Sequence, residues 1–138
     1  MTGIHISLVR ARLVLVDDHR VAREALVRRL HHDNRVAIVG HTADIGEAIA
    51  TVKRCRPHAV LVDPRREDGA GIDAIASLAR VDVPVPPLVT AHASYFDAEE
   101  WLRVRAVGAH EWILKQFDVD ALVTRLLVAV ERGVAADG

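Results

Sequence analysis

Leu13-Val14-Leu15-Val16-Asp17-Asp18 is a short apolar run that leads directly into two carboxylates. Two further runs are built alike, since Ala59-Val60-Leu61-Val62 leads into Asp63 and Trp112-Ile113-Leu114 leads into Lys115. Such runs alternate with longer segments of helical period, a pattern typical of a parallel sheet with helices on both faces. Because the carboxyl ends of parallel strands share one edge, the three acids and the lysine are expected to converge there.

The same alternation predicts five strand–helix units. We expect strands at about 12–17, 35–40, 58–63, 88–91 and 110–114. We expect helices at about 20–32, 44–55, 97–107 and 118–132, and another whose apolar stripe is Ile72, Ile75 and Leu78. Asp44 is a predicted N-cap, Gly133 is predicted to end the last helix, and Val21 is predicted to face the core from the first helix.

Composition favours one compact domain. The chain has 138 residues, of which 51% are apolar, and its formal net charge is −1. That size suits a single core, which we place at 11–133 with short tails at 1–10 and 134–138. The balanced charge predicts no direct binding to nucleic acid by this segment, and no apolar stretch is long enough to span a membrane. Cys55 is the only cysteine, so we expect a protein of the reducing cytoplasm.

The residue types at the strand ends predict a cation and phosphate site. Paired carboxylates such as Asp17 and Asp18 suit Mg²⁺, which prefers oxygen ligands. A third ionised group, Asp63, would be repelled unless a cation or Lys115 offsets its charge. Sixteen of the eighteen basic residues are arginine, so a lysine at 115 indicates a need for a compact point charge. A carboxylate oriented in this way can act as a nucleophile toward phosphorus.

The chain resembles the receiver domain of bacterial two-component response regulators over about residues 11–133. The shared motifs, in chain order, are Val-Asp-Asp-His at 16–19, Leu-Val-Asp at 61–63, Thr-Ala at 90–91, and Gly-Ala-x-x-Trp-Ile-Leu-Lys at 108–115. They are most similar to the NarL/LuxR-type subfamily, whose members often carry a helix-turn-helix output domain. The resemblance implies a flavodoxin-like α/β fold, a doubly wound five-stranded parallel sheet of order 2-1-3-4-5 with five helices.

The resemblance also implies a role for each acid. Asp63 would accept a phosphoryl group from a sensor histidine kinase, so the chain would be a phosphoacceptor and not an enzyme. Mg²⁺ would be the cofactor, with Asp18 a direct ligand, Asp17 a more indirect one, and Asp63 and the backbone carbonyl of Arg65 completing the site.

Three further residues would read the phosphoryl group. Lys115 would pair with it, and the Thr90 hydroxyl would hydrogen-bond it. Trp112 occupies the position of the family's aromatic switch. Thr90 lies about three residues further from Lys115 than in the family pattern, so either the loop between them is longer or Ser94 supplies the hydroxyl. We favour Thr90 because it directly follows the apolar run.

A partner is expected to bind the face formed by the fourth helix, the last strand and the last helix. This face would carry Trp101, Arg105 and Trp112 and would contact a second copy or an effector protein. Trp101 and Trp112 also fit ordinary core positions.

Differences from the family leave other functions open. Arg66-Glu67 stands where the family usually has Met-Pro, which motivates a pseudo-receiver that binds partners without phosphorylation. The cations Arg65 and Arg66 could neutralise the acids, attract a phosphorylated partner, or be solvated loop charges. The chain could also be the receiver fragment of a NarL/LuxR-type DNA-binding regulator. An aspartate-nucleophile phosphatase is disfavoured, because such enzymes usually need an acid where Arg65 stands.

Overall fold

A single parallel sheet forms the centre of the molecule. The computed structural model describes residues 10–137. The strands are β1 (Ala11–Val16), β2 (Val36–Thr42), β3 (Ala59–Val62), β4 (Leu88–Ala93) and β5 (Glu111–Leu114). The helices are α1 (Arg20–His31), α2 (Ile45–Cys55), α3 (Gly71–Ala79), α4 (Ala98–Ala106) and α5 (Val119–Asp137). The strand order is β2-β1-β3-β4-β5, which confirms the predicted fold.

Two cores cover the two faces of this sheet. On one face, Val14, Val62 and Trp112 pack with buried residues of α2, α3 and α4. On the other face, Leu15 and Leu61 pack with buried residues of α1 and α5. The alternation of side chains along each strand therefore directs successive apolar residues to opposite cores.

Most predicted boundaries agree with the structure to within two residues, and the exceptions have physical reasons. Asp44 caps α2, accepting a hydrogen bond from the Glu47 backbone N–H at 3.1 Å. Gly133 does not end the last helix, which continues to Asp137. A side chain at 133 would meet only Leu88 at ordinary contact distance, and a single glycine costs a helix only about 1 kcal/mol.

Two predicted core positions are wrong. Val21 is 81% exposed and lies in the first turn of α1, a helix whose one fully buried residue, Leu30, is in its last turn. Ile72, in the first turn of α3, is also exposed, whereas Ile75 and Leu78 are buried as predicted. Residues 1–9 of the predicted tail lie outside the described residues.

The loop between β3 and α3 is held by a close backbone contact. A Cβ atom at Gly71 would lie 1.6 Å from the carbonyl oxygen of Pro64, a distance at which the backbone must shift. Only glycine therefore lets the chain return this closely to the residue after Asp63. No helix in the part of the chain that the structure describes is long and apolar enough to cross a membrane.

Candidate functional site

Three polar residues lie at one level across the carboxyl edge of the sheet. Val16 pairs with Val62, and Val62 pairs with Ala91. The next level therefore consists of Asp17, Asp63 and His92. The backbone N–H of Asp63 donates to the Val16 carbonyl at 3.0 Å, so the sheet hydrogen bonding continues to the site. Asp17 and Asp63 are both buried.

Lys115 joins two of the acids. Its Nζ lies 2.6 Å from Asp17 Oδ2 and 2.7 Å from Asp63 Oδ2. Its backbone N–H donates to the Ala93 carbonyl at 2.8 Å, which fixes the residue at the end of β5. One ammonium therefore bridges carboxylates that follow two different strands, as the sequence predicts.

The contacts between Lys115 and the two carboxylates outweigh the cost of burying the charges of Asp17 and Lys115. Burial by itself would raise the pKa of Asp17, but hydrogen bonds from Lys115 and His19 and the Lys115 charge bring it below the usual value. Burial would likewise lower the pKa of Lys115, but its bonds to Asp17 and Asp63 raise it above the usual value. The pair of Asp17 and Lys115 is therefore ionised at neutral pH.

The first loop supplies a further carboxylate and an imidazole. His19 Nδ1 lies 2.8 Å from Asp17 Oδ1, 3.4 Å from Asp18 Oδ1 and 3.6 Å from Asp63 Oδ2. Asp18 Oδ2 accepts the Glu67 backbone N–H at 2.8 Å, whereas Asp18 Oδ1 is buried and has no hydrogen-bond partner among the described residues. Sequence reasoning missed His19 as a site residue, although it directly follows the two acids.

These donors fit a hard divalent cation. One donor atom each from Asp17, Asp18 and His19 lies within 4.8 Å of the others. The free oxygen of Asp18 would gain the partner that it lacks. A cation would also offset the excess of acidic over basic charge around Lys115.

The loop after β3 orients Asp63 through its backbone. The Arg65 N–H donates to Asp63 Oδ1 at 2.8 Å. The two arginine side chains lead elsewhere, with Arg65 bonded to Tyr95 and Glu100, and Arg66 bonded to Asp68. Within the described region, the basic side chains in contact with the carboxylates of Asp17 and Asp63 are Lys115 and His19, so neither Arg65 nor Arg66 pairs with these acids.

The structure does not bring Thr90 to Asp63 or to Trp112. Thr90 pairs with Leu61, two residues before the level of Asp63. Ala91 is the partner of Trp112, so Thr90 projects from the opposite face of the sheet. The Thr90 hydroxyl is buried there without a partner among the described residues. Ser94, the alternative, is exposed just after β4, and its carbonyl accepts a hydrogen bond from Gln116.

His92 is a second site residue that sequence reasoning missed. It is 7% exposed and borders a cavity of about 190 Å³ together with Asp17, Lys115 and Phe117. Burial, and then the Lys115 charge, lower its pKa to about 4, so the imidazole is neutral at neutral pH. The sequence signal that could have identified His92 is its position two residues after Thr90 in the same strand.

The expected partner face is less open at its tryptophans than predicted. Of the three residues expected on this face, Trp112 is 7% exposed, Trp101 is partly buried, and Arg105 is exposed. The rings of Trp101 and Trp112 meet edge to face with centroids 6.3 Å apart. The exposed apolar side chains of this region are instead Tyr95, Phe96 and Leu102 at and before α4, and Val128 on α5.

Known proteins resemble this chain over most of its length. The sequence model of the response regulator receiver domain matches residues 13–127. The DNA-binding transcriptional activator DevR/DosR of Mycobacterium tuberculosis is 33% identical over 104 residues, which are 75% of this chain and 47% of that protein. The transcriptional regulatory protein DegU of Brevibacillus brevis is 28% identical over 125 residues, which are 90% of this chain and 52% of that protein. The chain thus spans about half the length of these relatives.

Solved structures show the same fold. The signal receiver domain of the response regulator NarL from Mycobacterium tuberculosis has a TM-score of 0.77 at 24% identity, covering 88% of this chain and 97% of that one. A two-component response regulator of the LuxR family from Aurantimonas has a TM-score of 0.77 at 25% identity, covering 89% of this chain and 86% of that one.

Proposed function

Because this chain belongs to the response regulator receiver domain family, we propose that it is a signalling switch phosphorylated on Asp63. The observation that carries the proposal is the convergence of Lys115 on Asp17 and Asp63 at 2.6 and 2.7 Å. A cation shared by two buried carboxylates is already placed to take up the negative charge of an incoming phosphoryl group. The chain acts as a phosphoryl acceptor and not as an enzyme.

The reaction is a transfer between two nucleophiles. An oxygen of the Asp63 carboxylate attacks the phosphorus of a phosphohistidine on a sensor histidine kinase. The P–N bond breaks, its electron pair stays on the histidine nitrogen, and an acyl phosphate forms on Asp63. The Arg65 N–H holds Asp63 Oδ1 and thereby orients the attacking group. Lys115 holds Asp63 Oδ2 and stabilises charge on the moving phosphoryl oxygens.

Mg²⁺ is the proposed cofactor. Asp17, Asp18, Asp63 and the Arg65 carbonyl would hold it, and when bound it would neutralise charge on the phosphoryl oxygens. The partnerless Asp18 oxygen supports this assignment. A hydrogen bond from Thr90 to the phosphoryl group stays a prediction. In this structure Thr90 pairs with Leu61, two residues before Asp63, and it lies on the other face of the sheet from Trp112.

The output is proposed to pass through α4, β5 and α5. Exposed Leu102 and Arg105, with Trp101 behind them, would contact a second copy or an effector. Because the relatives are about twice as long, we further propose that this receiver regulates a DNA-binding output of the NarL/LuxR type. The single Cys55 fits a reducing cytoplasm.

A pseudo-receiver is the second candidate, and one observation favours it. The β4 residues on the same face as Trp112 are Val89, Ala91 and Ala93, whose apolar side chains cannot hydrogen-bond a phosphoryl group. In that case the face around α4 would bind its partner regardless of the state of Asp63.

Intact mass separates the two functions. The protein is incubated with acetyl phosphate and Mg²⁺, and we expect the mass of one added phosphoryl group. The Asp63→Asn variant should add none, whereas Asp73→Asn, which removes an exposed carboxylate on α3, should behave as the parent does. No added mass on the parent under conditions that modify another receiver domain would favour the pseudo-receiver.

A further inference from the structure

The β4 hydroxyl that would connect Asp63 to the aromatic switch Trp112 lies on the wrong face of the sheet. Trp112 shares its face with Ala91 and Ala93, and Thr90 points to the other core. No strand hydroxyl on that side of β4 can therefore move toward a phosphoryl group and make room for the indole. If Asp63 and Trp112 are coupled, another side chain must connect them.

Arg65 makes this connection. Its backbone N–H donates to Asp63 Oδ1 at 2.8 Å. Its guanidinium carbon lies 3.5 Å from the centre of the Tyr95 ring and 5.4 Å from that of Trp112. One residue thus touches the acceptor carboxylate with its backbone and the aromatic cluster with its side chain.

The same guanidinium also holds the first turn of α4. Its Nη2 lies 3.3 Å from Glu100 Oε2, and its Nη1 donates to the Tyr95 carbonyl at 3.3 Å. The side chains of Arg65 and Glu100 are only 22% and 23% exposed, so water screens this pair less than a fully exposed one. These contacts join the loop after β3 to the start of α4, across 35 residues of chain.

We propose that Arg65 is the positioning residue that couples phosphorylation of Asp63 to Trp112 and α4. This inference depends on the proposed phosphorylation of Asp63. A phosphoryl group brings a charge of about −1.5 to −2 and three acceptor oxygens, which outcompete the single charge of Glu100 for the guanidinium. Arg65 then leaves Tyr95 and Glu100 for a phosphoryl oxygen, which frees the first turn of α4 and uncovers the Trp112 ring.

If Arg65 exchanges Glu100 for a phosphoryl oxygen, substitutions of Glu100 and of Arg65 should change the affinity for a phosphoryl mimic in opposite directions. Removing the Glu100 charge removes the competitor, so Glu100→Gln should bind beryllofluoride, a mimic of the phosphoryl group, about two- to five-fold more tightly in the presence of Mg²⁺. Removing the guanidinium removes the new contact, so Arg65→Ala should bind it several-fold more weakly. In the Arg65→Ala background, Glu100→Gln should have no further effect.

The readout is the fluorescence of Trp112 in a Trp101→Phe background, so that one indole reports. We expect beryllofluoride to change this signal in the parent and in Glu100→Gln, and not in Arg65→Ala. The matched control is Glu99→Gln, whose carboxylate lies 3.7 Å from Arg103 on the exposed side of α4 and should leave both affinity and fluorescence unchanged. If Arg65→Ala does not fold, Arg65→Gln takes its place.

Two results would overturn the coupling. One is a full Trp112 response in the Arg65 variant, and the other is a Glu100→Gln effect that persists without Arg65. Intact mass after acetyl phosphate treatment is measured on the same samples. Added mass without an Arg65-dependent response rejects the coupling alone, whereas no added mass on the parent rejects the phosphorylation and the coupling together.

Discussion

Replacing Lys115 by methionine tests the electrostatic centre of the site. Lys115 contacts Asp17 and Asp63, and its side chain is 19% exposed. Methionine retains an unbranched apolar stem of similar length to that of lysine and lacks the ammonium. The carboxylates are then left facing one another without their bridging cation.

The size of the effect follows from this partial burial. Removing one partner of a fully buried ion pair costs about 3–5 kcal/mol, and the residual exposure of Lys115 reduces our expectation to about 2–3 kcal/mol at pH 7. The pKa of Asp17 in the folded protein is lowered, so the contribution of the pair is present above about pH 4 and is lost as the pH falls further. The pKa of Lys115 is raised, so the contribution persists until the pH rises above about 10.

Urea unfolding at several pH values without divalent cations measures this difference. We expect a constant gap between parent and variant from about pH 7 to 9 and a shrinking gap at lower pH, where Asp17 becomes protonated and the loss of the Lys115 charge also changes the titration of His92. Lys53→Met is the control, because Lys53 is the other lysine and is exposed on α2, so its loss should change stability by less than about 0.5 kcal/mol. A gap at pH 7 no larger than that of the control, or one that stays constant into acid, would refute the reasoning.

Three other changes test neighbouring features by the same unfolding assay. The pKa of His92 is lowered to about 4 in the folded protein, so the unfolded chain binds a proton here first as the pH falls. The free energy of unfolding should therefore decrease by about 3 kcal/mol between about pH 6.5 and pH 4. His92→Phe should flatten this slope, and an unchanged slope would exclude His92 as its source. Gly71→Ala should cost more than about 2 kcal/mol because its methyl group collides with the Pro64 carbonyl. Gly133→Ala should stabilise the protein by up to about 1 kcal/mol, because alanine favours the helix and has room there, and equal effects of the two changes would contradict the contact. Thr90→Val should stabilise the protein by about 1 kcal/mol, since the Thr90 hydroxyl is buried without a partner; a loss of stability would show that the hydroxyl is bonded.

Local patterns in the chain were sufficient for the fold and for the acidic centre. Strand and helix periodicity depends on residues that are close in the sequence. The carboxyl ends of parallel strands always lie at the same edge of the sheet. Asp17, Asp18, Asp63 and Lys115 were therefore predicted to meet, and they do. The cap at Asp44 was equally accessible, because it involves a residue only three positions away.

The face of each strand residue required the tertiary structure. The side-chain period of a strand is two residues, so the position of Thr90 relative to Trp112 depends on how β4 pairs with its neighbours. A spacing of three extra residues before Lys115 did not reveal whether the additional length lies in the loop or shifts the strand. The pairing put the alanines on the side of Trp112 and Thr90 on the other.

The destination of the Arg65 side chain also required the structure. Its partners Tyr95 and Glu100 lie 30 and 35 residues away, and a long flexible cation gives no local sign of which partner it will choose. The sequence alone thus determined which chemical groups stand at the carboxyl edge, because secondary-structure period and parallel topology are local and general. Only the tertiary structure decided how that edge connects to α4, because the connection depends on strand register and on contacts between distant loops.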